Sequence, residues 1–223
     1  MTPINRSTFH KVTHICHVPG VTLQWILSKG GFIFLRSDYP DGMDTSLTLS
    51  TRLTRHRGLA LILTVGKARA EITELIAELV LRGPLFIVAA SEWLPAYELA
   101  RVLRKRTIKV REILDHLYAA RASTCYRLVD SLGNLPSNGE PILVLDFLHT
   151  FYDTNVPLDI RLRKLRECCR ELKRLAFYRP VILMTQVLSI EDYEKFIPAL
   201  CSIADTTLTL ETETEQIKQP VLF

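Results

Sequence analysis

LALILTVGKARAEITELIAELVLRG (residues 59–83) is the stretch on which the fold turns. It opens on an unbroken apolar run of strand length. It then places Ile72, Leu75, Ile76, Leu79 and Val80 at helical spacing and closes at Gly83. Gly66 and Lys67 sit at the turn, so the stretch reads as a buried strand followed by a helix. PLFIVAAS (84–91), PILVLDFL (141–148) and PVILMTQV (180–187) read as further buried strands, and DTTLTLET (205–212) alternates like a more exposed edge strand. Helical patterning falls at 94–104, 110–120, 125–132, 160–176 and 190–202. Apolar strands separated by helices predict a three-layer α/β domain over residues 58–223, with a mostly parallel sheet covered on both faces.

Residues 1–57 read differently. HICHV, TLQWIL and GFIFL are short strand-like pieces around Pro19-Gly20 and Gly30-Gly31, which predicts a β-rich extension. At 223 residues and 48% hydrophobic, the chain can bury a full core. No apolar run approaches the roughly 20 residues that span a bilayer, and MTPINRSTFHKV lacks a signal-peptide core. A cytoplasmic protein with no membrane partner is the expectation. Five cysteines, most of them within apolar patterns, read as reduced small hydrophobes. His10, His14, Cys16 and His17 lie close together, but on a strand His14 and Cys16 share a face that His17 leaves, so no metal site is expected.

Ligands of a parallel α/β sheet bind beyond the carboxyl ends of the strands, where Gly66, Lys67, Glu92, Asp146 and Gln186 fall. A phosphate-binding (Walker A) loop of the form GxxxxGK[ST] needs backbone N–H groups turned inward, a lysine, and a hydroxyl for magnesium. Here Leu61 and Ala68 occupy the positions of the first glycine and the hydroxyl, so Lys67 is at most a weak phosphate ligand.

From Pro84 to Val187 the order of features resembles the core of RecA-type recombinases, especially the RadA-like branch and its paralogs. PLFIVAASEW places Glu92 where that family has its catalytic glutamate. AARASTCYRLVDSL and PILVLDFLHTFYD follow, with Asp146 in the position of the magnesium-binding aspartate. RLRKLRECCRELKRLAFYRPVILMTQV places Gln186 in the position of the family's strand-end glutamine. The match spans about half of the chain and departs from the family at the phosphate loop and after Gln186. The resemblance implies a RecA-like fold with a degenerate Walker A loop, in which Glu92, Asp146 and Gln186 are remnants and neither ATP nor magnesium is required. It also implies a non-catalytic accessory role in recombination or repair, as a homo-oligomer or beside a RecA-like partner. An ATPase with an atypical phosphate site, built on Glu92 and Asp146, is the enzymatic alternative. A protein-interaction scaffold without nucleic-acid binding is the other.

RVLRKRTIKVR (101–111) carries six cations and no acid. Clustered cations supply the salt-sensitive part of nucleic-acid affinity, so Arg101, Arg104, Lys105, Arg106, Lys109 and Arg111 are the expected contacts to DNA, single-stranded by preference. RLRKLRECCRELKR (161–174) carries seven cations and two acids, and there local ion pairing is expected instead.

Overall fold

The computed structural model describes residues 15–18, 21–24, 53, 57–65, 68–136, 139–186 and 190–211. The chain divides into two compact units, Met1–Gly42 with Glu215–Phe223, and Met43–Thr214. In the first unit, β1 (Ile15–Val18) and β2 (Val21–Gln24) pair antiparallel, with Cys16 opposite Leu23 and His17 opposite Thr22. The expected strand GFIFL, and His10 and His14, lie outside the described residues.

The second unit runs β3 (Gly58–Val65), α1 (Arg69–Arg82), β4 (Leu85–Ala89), α2 (Ala96–Arg106), α3 (Val110–Leu114), β5 (Leu117–Arg121) and α4 (Cys125–Gly133). It continues through β6 (Ile142–Leu145), a 3-10 turn (Phe147–Phe151), α5 (Leu158–Tyr178), β7 (Pro180–Gln186), α6 (Ile190–Cys201) and β8 (Thr206–Glu211). The six strands form one sheet in the order β5-β4-β6-β7-β3-β8, and every pairing is parallel. Alternate residues of each strand serve opposite faces. On one face Ile62, Ile87, Leu143 and Ile182 meet Ile76 and Val80 of α1 and Leu99 and Leu103 of α2. The other face is covered by α4, which packs on β4, and by α5, which packs on β3 and β7 and carries α6 beside it. As the alternation of DTTLTLET predicts, β8 is an edge strand.

Two expectations need correction. Residues 110–120 read as one helix, yet the helix stops at Leu114 and Leu117–Arg121 is a strand at the sheet edge. Its partner is β4, and Tyr118 stacks on Phe86 with ring centroids 5.0 Å apart. That pairing joins residues about thirty positions apart and outweighs the local helix preference of Ala119 and Ala120. The strand expected over 141–148 ends at Leu145, because Phe147 and Leu148 turn into the 3-10 segment.

The start of β3 is fastened to the start of β8. Asp205 Oδ2 accepts from the Leu59 N–H at 2.7 Å, and the Asp205 N–H donates to the Leu59 carbonyl at 2.8 Å. The loop reaches this close because residue 58 is glycine. Its φ is +142°, and a Cβ there would sit 2.7 Å from Asp205 Oδ2. Gly58→Ala is therefore expected to cost about 1–3 kcal/mol in urea unfolding, and an unchanged midpoint would contradict this fastening.

Cys125, Cys168 and Cys169 are buried and free. Burial pushes all three thiols up, Cys169 to about 11. Since the thiolate is the reactive species, iodoacetamide is expected to leave these three unmodified in the folded chain and to modify them in urea. Mass spectrometry of the alkylated peptides reads the difference.

Candidate functional site

The topology decides where a cleft forms. From β4 the chain leaves onto the α1–α2 face of the sheet, whereas from β6 it leaves through the 3-10 turn onto the α5 face. Neighbouring parallel strands whose continuations part in this way leave a crevice at their carboxyl ends. That crevice measures about 630 Å³. Ala90 to Trp93 line it from β4, Arg121 and Ser123 from β5, Asp146 from β6, and Thr185 and Gln186 from β7, while Arg69 projects from the start of α1.

Asp146 is its focus. Among the described residues it is the one non-glycine with positive φ, at φ 51° and ψ 40°. An aspartate tolerates this left-handed conformation better than most residues, but at a cost. Ser91 Oγ donates to Asp146 Oδ2 at 2.5 Å and accepts from the Trp93 N–H at 3.2 Å. The Ala90 N–H donates to the Leu145 carbonyl at 2.9 Å, so the ends of β4 and β6 are tied by main chain and side chain together. Behind Asp146, the Leu148 N–H donates to Thr185 Oγ1 and the Tyr152 hydroxyl donates to the Gln186 carbonyl, each at 3.2 Å. These bonds hold the 3-10 turn against the end of β7.

Cations flank this acidic floor. Arg121 Nη2 donates to the Glu92 carbonyl at 3.1 Å, which leaves the exposed Glu92 carboxylate out of that bond. The Arg69 guanidinium lies 5.5 Å from the centre of the Trp93 ring, a cation–π distance. The cleft thus combines two carboxylates, two guanidinium groups and an indole.

Glu92, Asp146 and Gln186, expected at strand ends, do share this one cleft. Gly66 and Lys67 lie outside the described residues, but the residues on either side of them are defined. β3 passes unbroken through Leu61, which pairs with Leu183 of β7 and Thr207 of β8. It ends at Val65, α1 begins at Arg69, and Ala68 between them is 2% exposed and packed in the core. Ser91, Trp93, Arg121, His149 and Tyr152 were not foreseen, because only the folded chain brings them to the cleft.

The six cations of 101–111 are not in the cleft. All are exposed, and most cluster from the end of α2 through α3, the far end of a helix about 16 Å long that starts beside the cleft. Two of them are engaged: Arg106 bonds Glu74 of α1, and Lys109 Nζ lies 2.9 Å from Glu112 Oε2. On α5 the expected local pairs form, Lys164 with Glu167 at 2.6 Å and Arg174 with Glu171 at 2.7 Å. The hydrogen bond from Lys164 holds the Glu167 carboxyl below its usual range.

No protein-family model matches this chain, and no curated protein matches it in sequence. The geometry of Asp146 makes its own prediction. Asp146→Asn, which suits the same backbone and still accepts from Ser91, is expected to unfold close to the wild type. Asp146→Val is expected to lose about 1–3 kcal/mol. Equal losses in chemical denaturation would show that the left-handed conformation does not matter.

Proposed function

We propose that this chain is a RecA-like accessory protein of DNA recombination or repair that works without hydrolysing nucleotide, binding nucleic acid, a RecA-like partner, or both. The observation that carries this reading is the course of β3. Leu61 is paired on both sides where a phosphate loop needs its first glycine, and buried Ala68 stands where it needs a hydroxyl for magnesium. Meanwhile the six-stranded parallel sheet, and the gathering of Glu92, Asp146 and Gln186 at its carboxyl edge, support kinship with the recombinase core.

Two surfaces support binding roles. The cations from Arg101 to Arg111 suit a polyanion, with single-stranded DNA the expected one. The edge strand β5 exposes Tyr118, Ala119, Ala120 and Arg121, and among the described residues it is paired on one side only. Such an edge accepts a strand from a partner subunit.

The ATPase reading is favoured by one observation, the cleft of about 630 Å³ with Glu92, Asp146, Arg69 and Arg121 around it. Calorimetry with millimolar ATP and magnesium separates the two. The accessory reading expects no heat and no thermal shift, whereas saturable binding with hydrolysis lost in Asp146→Asn would establish the enzyme.

For the nucleic-acid role, affinity for a single-stranded oligonucleotide is expected to fall steeply with salt. Each cation contact removed should lower the log–log slope by about 0.7. Replacing all six cations by glutamine without loss of affinity would overturn the site.

A further inference from the structure

The outward side of α2 has a composition that charge alone does not explain. Leu99 and Leu103 turn toward the sheet. At about 100° per residue, Tyr97, Arg101, Arg104 and Lys105 fall within one sector of roughly 100° on the opposite side. Tyr97 is 75% exposed, and Ile108, in the turn that follows, is 98% exposed. Among the described residues Arg101, Arg104 and Lys105 belong to no ion pair, whereas Arg106 is drawn sideways to Glu74 and Lys109 to Glu112. The six-cation cluster therefore divides into engaged and available members, and three of the available ones share a side with an exposed aromatic ring.

We propose that this side of α2 is a platform for one nucleic-acid strand, with an unpaired base stacked on Tyr97 and the adjoining phosphates held by Arg101, Arg104 and Lys105. The inference rests on the nucleic-acid reading above and narrows it to a strand type and a new residue. Tyr97 stands one helical turn, about 6 Å, from Arg101, which is about the same distance from the Arg104–Lys105 pair. Ring and cations therefore form a row that a flexible strand can follow. An exposed tyrosine face accepts any base, but only one that has left a duplex stack. A duplex would engage the cations and leave the ring idle, and so would an acidic peptide.

The test uses the full chain and three probes: a labelled oligothymidylate, its duplex with oligoadenylate, and polyglutamate. The platform predicts at least tenfold preference for the single strand over both competitors. Tyr97→Ala should weaken single-strand binding about 5- to 100-fold with the salt slope unchanged, and Tyr97→Phe should restore it. Replacing Arg101, Arg104 and Lys105 together by glutamine should instead reduce the slope by about 2. If Tyr97→Ala binds like the wild type while the triple variant is weakened, the platform is wrong and the broader nucleic-acid reading survives. Equal binding of duplex or polyglutamate likewise overturns the single-strand assignment, and absence of binding to either nucleic acid overturns both readings. All four positions are exposed, and circular dichroism confirms that each variant is folded.

Discussion

β3 is hydrogen-bonded on both sides along most of its length, to β7 from Gly58 and to β8 as far as Val65. This double pairing constrains everything around the first turn. A strand held in two ladders cannot also bulge into a loop whose amides converge on a phosphate. Only residues 66–68 remain to reach α1, and the last of them is packed in the core. The fastening of Leu59 to Asp205 secures the other end of the strand, so its register is held at both termini.

Along α2 the molecule separates two kinds of chemistry. The helix begins beside a cleft of mixed charge, where Asp146 is clamped by Ser91 and the cations Arg69 and Arg121 stand at the side. It ends in a predominantly cationic surface, on which Glu74 and Glu112 each engage one cation. A mixed site favours a small ligand held by directional bonds, whereas a one-signed surface favours an extended polyanion. The strained backbone of Asp146 is maintained by bonds from both neighbouring strands. Backbone strain held in place by surrounding bonds in this way clusters at binding and active sites.

The sheet was legible in the sequence wherever a strand is buried on both faces. LALILTV, PLFIVAAS, PILVLDFL and PVILMTQV announce themselves by composition, and the carboxyl ends of the last three locate Glu92, Asp146 and Gln186 without any structure. LYAAR is different: four of its five residues are exposed, so no buried pattern marks it. Its strand conformation comes from β4, and no local signal carries that information. The contacts of the cleft were illegible for the same reason. Ser91 and Asp146 are 55 residues apart, and Arg121 reaches Glu92 across 29. The basic run 101–111 was plain in the sequence, but its division was not. Only the packing of α1 beside α2 brings Glu74 to Arg106 and leaves Arg101, Arg104 and Lys105 available.

Amide hydrogen exchange of the full chain bears most directly on the claim that α2, and not the first turn, is the place of binding. It would be recorded alone, with ATP and magnesium, and with a single-stranded oligonucleotide. On that claim, protection is added across residues 97–111 with the oligonucleotide and none is added across residues 65–73 with ATP. Protection of 65–73 by ATP, with 97–111 unchanged by the oligonucleotide, would contradict it.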